Sequence, residues 1–326
     1  MRQKAGSRSR RAVFLPATLA VFAALVAWLV HNIRSRPPWL RRSSPGQPLD
    51  DEGSAFLFPD FLSADEIDAV LQLGEDFASE ILLDPRERYA YVELNKTSEL
   101  LEQLEQRVAD LTGIPLHQDE SPFMLSVSRP WKRRYEGEGA SLQNLHHDQN
   151  EGPGRVATVL IYLSGDGGAG GGGGAGGGGG GGGGGDGASR AAGDILTGGE
   201  TIFPCVGSAT GRNADLCRRL DAGYAAGERI LWPSFYQDSF DKAAADDVSA
   251  MCRLDPSAAG SGQGQRSWLS VIPLRGAALL FLSAEPDAAG RFSRTSRGSS
   301  RMWHGGCRVW RGEKWTLQKF KELPSD

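Results

Sequence analysis

The feature that most constrains the fold is a change of residue pattern near Ser121. Before this residue, two stretches carry apolar side chains at helical spacing. The first begins at Ser63-Ala-Asp-Glu66, which has the form of a capping box, and the second runs from about Ser98 to Thr112. Gly113 is expected to cap the second helix, and Pro115 to stop it. The N-terminal part of the folded region is therefore predicted to supply helices.

Beyond Ser121 the sequence favours short strands. The clearest is Val156–Leu163, which is β-branched and almost wholly apolar, as a buried strand should be. Further candidates are Phe123–Val127, Thr201–Phe203, Leu269–Ile272, Ala278–Leu282 and Trp315–Phe320. Two helices followed by many strands predict an α+β chain, with an antiparallel β core and helices packed on one side.

Two segments interrupt the strand region. Residues 167–187 are almost pure glycine and cannot bury apolar area, so they are expected to form a disordered loop. Residues 206–266 are interpreted as a second insertion, broken by the aromatic cluster at 231–236. None of the four cysteines stands in a CxxC pair, which argues against zinc. Cys217 and Cys252 flank part of the second insertion and could close it, although the sequence alone does not fix the pairing.

The N-terminus favours a membrane anchor. A basic tail at 1–11 precedes an uncharged apolar run at 12–30, which is close to the roughly 20 residues that a transmembrane helix needs. Bulky residues end this run, so an uncleaved signal anchor is favoured over a cleaved signal or transit peptide. Basic residues at both ends argue against a buried core helix. Residues 31–54 are rich in Arg, Pro and Ser and are expected to form a stem.

The chemistry begins at His146-His147-Asp148. On a strand, positions i and i+2 face the same side, so His146 and Asp148 could bind one metal ion. With a second histidine they would form the facial triad of non-haem Fe(II) oxygenases. The pair alone is a weak signal, and His147 is an alternative to His146. The third ligand must come from a distant strand, where His304 is the remaining candidate in the β-rich part.

Lys314 follows His304 by ten residues. Taken separately, the two would be a loop histidine and a surface lysine. Taken together, they favour a site in which the lysine pairs with the far carboxylate of a dicarboxylate bound to iron.

Six segments, in order, resemble the prolyl 4-hydroxylase family of Fe(II)/2-oxoglutarate dioxygenases. They are Pro59–Ser63, Leu111–Pro115, Arg155–Leu163, Gly198–Pro204, Pro273–Phe281 and the run from His304 to Trp315. The resemblance covers roughly Phe56 to Leu323 and implies a double-stranded β-helix, or jelly roll, with supporting N-terminal helices. It makes 55–120 the helical support region and 121–323 the dioxygenase domain.

The resemblance also implies roles for individual residues. The positions that match the family's iron ligands are His146, Asp148 and His304. Lys314 matches the lysine that binds the distal carboxylate of 2-oxoglutarate, Thr201 the lining of that pocket, and Arg155 an arginine near the peptide-substrate channel. The implied reaction converts peptidyl-proline to 4-hydroxyproline with O2, while 2-oxoglutarate is decarboxylated to succinate, and ascorbate is a further cofactor.

The implied substrate is a Pro-rich polypeptide with an extended backbone. The implied location is the endoplasmic reticulum or Golgi membrane, as a single-pass type II protein with a lumenal catalytic domain. A net charge of −4 gives no basic excess for nucleic acid. Two alternatives are the same chemistry on a lysyl or small-molecule acceptor, and a non-catalytic jelly-roll binding module. Departures from the family pattern at Gln143, Arg308, Phe320 and Glu322 spare the iron ligands and bear on the peptide substrate.

Overall fold

The computed structural model describes residues 46–76, 82–83, 89–94, 98–130, 142–150, 154–165, 196–206, 213–225, 251–252, 268–287, 291–293, 296 and 298–324. The expected anchor, the stem up to residue 45, the glycine tract and the aromatic cluster at 231–236 lie outside the described residues. Within the described ranges, no helix has the length and apolar character needed to cross a membrane.

The described residues form three helices, of which the first two follow the start and stop signals in the sequence. They are α1 (Ala64–Asp76), α2 (Glu99–Thr112) and α3 (Ala214–Ala225), with single 3-10 turns at Asp148–Asn150 and Ser300–Met302. The capping box before α1 is confirmed, because the Ser63 amide donates to Glu66 Oε2 at 2.8 Å and the Glu66 amide donates to Ser63 Oγ at 3.2 Å. Gly113 ends α2 with a φ of 66°, which a residue with a Cβ rarely adopts.

The described residues also form fourteen strands, all paired in antiparallel fashion. In chain order they are β1 (Gln47–Pro48), β2 (Ala55–Phe58), β3 (Leu82–Leu83), β4 (Tyr89–Leu94), β5 (Phe123–Ser128), β6 (Leu142–His146), β7 (Arg155–Tyr162), β8 (Thr197–Gly198), β9 (Thr201–Phe203), β10 (Leu269–Val271), β11 (Ala278–Phe281), β12 (His304–Cys307), β13 (Val309–Arg311) and β14 (Lys314–Glu322). Each strand predicted from the sequence is present, and β2, β3 and β4 come from the region 55–120.

Three sheets result from this pairing. The large sheet has the order β1-β2-β11-β7-β14-β5-β4-β3, the small sheet β10-β9-β12-β6, and β13 pairs with β8 in a short ribbon. The large sheet is buried on both faces, and successive side chains along its strands point to the two faces in turn. Phe56 and Leu280 pack in one cluster with Leu104 of α2, whereas Leu57 packs in another with Phe203 of the small sheet. Two packed sheets with helices on the outer face form a jelly-roll type architecture, so the α+β prediction is confirmed.

The second insertion contains a helix that is anchored to the small sheet. Leu216 and Leu220 of α3 pack with Ile202 and Trp303. The suggested disulfide between Cys217 and Cys252 is wrong. Cys205 bonds to Cys217 and Cys252 bonds to Cys307, with Cα–Cα distances of 5.7 and 5.4 Å. The reason is positional, since Cys205 follows β9 and Cys307 ends β12, so each bond ties a part of the insertion to the sheet.

Candidate active site

Three residues that the sequence singled out meet between β6 and β12. The ligand atoms of His146, Asp148 and His304 all lie within 4.8 Å of one another. His304 stands opposite His146 in the antiparallel ladder, and their ring centroids are 4.2 Å apart. Asp148 Oδ1 lies 3.3 Å from His146 Nε2 and 3.7 Å from His304 Nε2. Two imidazoles and one carboxylate therefore converge on one point, as a facial triad requires.

The sequence predicted that His146 and Asp148 lie at positions i and i+2 of one strand, and this prediction is wrong. Strand β6 ends at His146, and Asp148 opens the 3-10 turn Asp148–Asn150. The two residues are therefore not neighbours on one face of a strand. The turn brings the carboxylate back towards His146, and this achieves the convergence that strand alternation was expected to give.

Two hydroxyl groups fix the Asp148 carboxylate from behind. Thr158 Oγ1 on β7 donates to Asp148 Oδ2 at 2.5 Å, and Ser283 Oγ donates to the same oxygen at 3.4 Å. Burial on its own raises the pKa of Asp148. The nearby imidazoles of His304 and His146 and the hydrogen bond from Thr158 outweigh burial, so the pKa of Asp148 is well below its usual range. Asp148 is thus an ionised carboxylate. Its Oδ2 accepts hydrogen bonds from the two hydroxyls, and its Oδ1 faces the two histidines.

The Nε2 atom of His304 directs its lone pair towards Asp148 Oδ1. Its Nδ1 lies 2.8 Å from the Met302 carbonyl, which can only accept, so Nδ1 carries the proton. Burial and the neighbouring His146 lower the pKa of His304 to about 3, so the ring is neutral at physiological pH. An unprotonated Nε2 therefore faces a carboxylate oxygen at 3.7 Å. Two acceptors at this separation repel each other unless a cation lies between them.

His147, the alternative ligand, points elsewhere. Its Nε2 donates to the Ser299 carbonyl at 2.8 Å, and its Nδ1 accepts from the Gln149 amide at 3.3 Å. Its ring also packs against the edge of Trp303, with centroids 6.0 Å apart. Both ring nitrogens have partners within the fold, so the structure places His146 rather than His147 beside Asp148.

A buried cation lies at the start of β14. Lys314 is 8% exposed, and its Nζ donates to Thr201 Oγ1 at 3.2 Å. Tyr162 donates to the same oxygen at 2.9 Å, and Lys314 Nζ lies 5.6 Å from the Tyr162 ring centroid. In the described part of the chain, no carboxylate forms an ion pair with Lys314. Burial lowers the pKa of Lys314 to about 8, although the charge of Glu200 opposes the shift.

Glycine is required where the chain packs over Lys314. Gly199 has a φ of 78°, and a Cβ there would lie 3.2 Å from Lys314 Cδ and 3.3 Å from Val309 Cγ2. The glycine pair before Thr201 thus lets the backbone approach the lysine closely. Lys314, Thr201 and Tyr162 together form a compact lysine–hydroxyl group on β14, β9 and β7.

Arg155, predicted to lie near the substrate channel, begins β7. Its Nε donates to Glu322 Oε1 at 3.1 Å, and its guanidinium lies 3.8 Å from the Phe320 ring centroid. The Gln149 side chain donates to the Arg155 carbonyl at 3.0 Å. Arg155 is thus connected to the residue that follows Asp148, and two of the positions that depart from the family pattern contact it directly.

Sequence reasoning missed Thr158, Tyr162 and Ser283. Thr158 and Tyr162 are the two hydroxyl-bearing residues in the otherwise apolar part of β7, four positions apart. Even spacing on a strand places both on one face. Two hydroxyl-bearing residues on one face of a buried strand could have indicated a functional role from the sequence. No comparable pattern surrounds Ser283.

No family model matches the chain. The chain is 26% identical over 287 residues to probable prolyl 4-hydroxylase 8 from Arabidopsis thaliana, a match that covers 82% of this chain and 68% of that protein. One similar solved structure is the viral collagen prolyl hydroxylase of Paramecium Bursaria Chlorella virus-1 in its 2OG complex, with a TM-score of 0.41, 12% identity, and coverage of 84% of this chain and 98% of the other. Another is a prolyl hydroxylase from Trichoplax adhaerens in complex with a hypoxia inducible factor peptide fragment, with a TM-score of 0.40, 11% identity, and coverage of 94% and 93%. The sequence match confirms that the chain resembles a prolyl 4-hydroxylase.

Proposed function

We propose that this chain is an Fe(II)- and 2-oxoglutarate-dependent dioxygenase that hydroxylates peptidyl-proline to 4-hydroxyproline. The observation that carries the proposal is the convergence of His146, Asp148 and His304, whose ligand atoms all lie within 4.8 Å of one another. A divalent cation removes the repulsion between these acceptors. Two nitrogen ligands and one oxygen ligand on one face leave open positions for a bidentate co-substrate and O2, which suits Fe(II).

One set of residues would bind the metal, and a second set would bind the co-substrate. His146, Asp148 and His304 would hold the iron, which when bound supplies activation of O2 for insertion into a C–H bond. One oxygen atom of O2 enters the acceptor as hydroxyl, and the other enters succinate as 2-oxoglutarate loses CO2.

The lysine–hydroxyl group would hold the co-substrate. The Lys314 ammonium pairs with one carboxylate of 2-oxoglutarate, and the hydroxyls of Thr201 and Tyr162 orient it. A dicarboxylate supplies the counter-ion that the buried ammonium lacks among the described residues. Phe203 and Phe281 pack against the His304 ring, at 5.5 and 4.7 Å between centroids, and exclude water from it.

Prolyl acceptors in a Pro-rich polypeptide are favoured by the similarity to a plant prolyl 4-hydroxylase. A lysyl or small-molecule acceptor would use the same metal centre. A purely structural jelly roll would need neither the triad nor a buried lysine aimed at Thr201, so binding without catalysis is the weaker alternative.

The test is a coupled assay on the full chain. Fe(II), ascorbate, 2-oxoglutarate and a Pro-rich peptide are incubated with the protein, and succinate and peptide mass are measured. We expect one succinate for each oxygen atom gained by the peptide. Demonstrated binding of Fe(II) and 2-oxoglutarate without oxygen transfer to any peptide would contradict the prolyl assignment.

We further propose that the catalytic region lies in the lumen of the endoplasmic reticulum or Golgi, anchored as a type II protein by residues 12–30. Two disulfides among the described residues suit an oxidising compartment. In microsomes, the C-terminal region should resist added protease until detergent is present. Digestion without detergent would contradict this location.

A further inference from the structure

Helix α3 packs against the two residues that directly precede the histidine ligands. Its side chains Leu216 and Leu220 lie in one buried cluster with Leu145 and Trp303. Leu145 comes directly before one histidine ligand in β6, and Trp303 comes directly before the other at the start of β12. The helix is therefore one side chain away from each histidine along the chain.

The metal-binding side chains point to the other face of the small sheet. Successive side chains of an extended chain point to opposite faces, and the backbone of Trp303 is extended, with φ −55° and ψ 124°. The His304 ring packs against Phe203 and Phe281, which belong to the cluster between the two sheets. Helix α3 thus supports the metal centre from the outer face of the small sheet.

A polar contact joins the Trp303 ring to α3. Trp303 is 1% exposed, and its Nε1 donates to Asp221 Oδ1 at 3.3 Å. An indole N–H can only donate, and buried donors in proteins are paired with acceptors. The same ring packs against the edge of His147, with centroids 6.0 Å apart. Trp303 therefore connects α3 to the residue that lies between His146 and Asp148 in the chain.

Trp303 also shares a peptide bond with the group that orients His304. The Met302 carbonyl accepts from His304 Nδ1 at 2.8 Å, and this carbonyl belongs to the peptide unit between Met302 and Trp303. A displacement of Trp303 would therefore move both the backbone of its neighbour His304 and the acceptor that holds the His304 ring.

The position of α3 on the sheet is fixed by covalent and polar contacts near its start. Cys217 of α3 is bonded to Cys205, which follows β9. The Asn213 side chain, directly before the helix, donates to the Pro204 carbonyl at 3.1 Å. Asp221 lies one helical turn beyond Cys217, so its carboxylate is carried by an anchored part of the helix.

We propose that Asp221 is a positioning residue for the metal centre, which acts through Trp303 to hold His304 in the orientation that binds Fe(II). The inference rests on the proposed function, because it concerns the metal of that same site. Removing a group that orients a metal-binding histidine commonly weakens metal affinity by about tenfold to a hundredfold. Asp221 acts through one further residue, so its removal should have a smaller effect.

The test is anaerobic titration of the full chain with Fe(II) in the presence of 2-oxoglutarate. Asp221→Ala should weaken Fe(II) binding by roughly threefold to tenfold. Asp221→Asn keeps an oxygen that accepts from Trp303, and its affinity should stay within about twofold of the parent's. The matched control is Asp215→Ala, which removes a carboxylate from the same helix, where it pairs with Arg218 and Arg219. This control should bind Fe(II) as the parent does.

A double-mutant cycle tests whether Trp303 transmits the effect. Trp303→Phe keeps an aromatic ring but removes the N–H, so it should also weaken Fe(II) binding. Asp221→Ala should then have much less effect in the Trp303→Phe background than in the parent, because both changes remove the same contact. Chemical denaturation without metal establishes that each variant is folded. Trp303→Phe still tests the proposal if Asp221→Ala fails to fold.

The outcomes separate this inference from the proposed function. Unchanged Fe(II) affinity in folded Asp221→Ala or Trp303→Phe would overturn the positioning role, and so would fully additive effects in the double variant. Equal losses in Asp221→Asn and Asp221→Ala would also overturn it, because the charge of Asp221 rather than its hydrogen bond would be responsible. These results would leave the proposed function standing, whereas a parent that binds no Fe(II) would overturn both.

Discussion

Replacing Lys314 by Met removes a buried ammonium that has no ion-pair partner in the described part of the chain. Burial lowers the pKa of Lys314 from 10.5 to about 8, and at 1.36 kcal/mol per pKa unit the charge costs about 3 kcal/mol of stability. The hydrogen bond to Thr201 at 3.2 Å recovers part of that cost, about 1 kcal/mol. The variant without metal or 2-oxoglutarate should therefore be about 1–3 kcal/mol more stable than the parent at pH 7.

The pH dependence has a defined sign. Between about pH 8 and 10.5 the unfolded parent binds a proton at Lys314 that the folded parent has lost, so its free energy of unfolding rises with pH. Below pH 8 both states are protonated and the full penalty is present. The advantage of Lys314→Met should therefore shrink across this window. Chemical denaturation with the disulfides intact, repeated from pH 7 to 10, measures both effects.

Co-substrate should offset most or all of this difference in stability. With metal present, 2-oxoglutarate at a hundredfold excess over its dissociation constant should stabilise the parent by about 2.7 kcal/mol. Lys314→Met should gain far less, because the partner of the distal carboxylate is gone.

Lys319→Met is the matched control, on the same strand and also buried. Lys319 pairs with Glu105 and Glu120 and donates to the Ser121 carbonyl at 2.7 Å. Its removal leaves buried carboxylates without that cation and should cost about 3–5 kcal/mol. If Lys314→Met lost stability to a similar degree, Lys314 would have a counter-ion within the protein, and its proposed role as the partner of the 2-oxoglutarate carboxylate would be refuted.

Two other predictions concern the support of the metal centre. Thr158→Val removes the hydrogen bond to Asp148 and should weaken Fe(II) affinity about tenfold to a hundredfold, whereas Thr316→Val, which removes a hydroxyl bonded to Ser126 at 2.8 Å, should leave it unchanged. Anaerobic Fe(II) titration compares them, and equal losses would show that Asp148 needs no orientation by Thr158. Replacing both cysteines of the Cys252–Cys307 bond by serine should lower the free energy of unfolding by about 4 kcal/mol, and the same change at Cys205–Cys217 by about 3 kcal/mol. The first bond costs more to lose because its cysteines are 55 residues apart, whereas those of the second are 12 apart. Denaturation midpoints measure this order, which equal costs would contradict.

Local patterns predicted much of the fold. The apolar run at Val156–Leu163 became β7 because its residues bury both faces of a central strand. The capping box at Ser63 and Gly113 set helix ends through hydrogen bonds that span only a few residues. Such features depend on near neighbours, so the sequence contains the information needed to place them.

Features that depend on distant contacts were not predicted in the same way. The position of Asp148 comes from a 3-10 turn held by Thr158 on another strand. The cysteine pairing depends on α3, which lies in a segment interpreted only as an insertion. The contact of Arg155 with Glu322 joins residues at the ends of two strands, and the sequence near either residue does not predict the other as its partner. The convergence of His146 with His304 depends on the register of β12 against β6, two strands that are far apart in the sequence.

The proposed function requires that His146, Asp148 and His304 hold one Fe(II) ion. The most direct measurement is the stoichiometry of anaerobic Fe(II) binding to the full chain in the presence of 2-oxoglutarate, compared with His304→Ala and His147→Gln. We expect about one ion per chain for the parent and for His147→Gln, and an affinity lower by at least about a hundredfold for His304→Ala. Undiminished binding by a folded His304→Ala variant, or loss of binding in a folded His147→Gln variant, would contradict the assignment of the site.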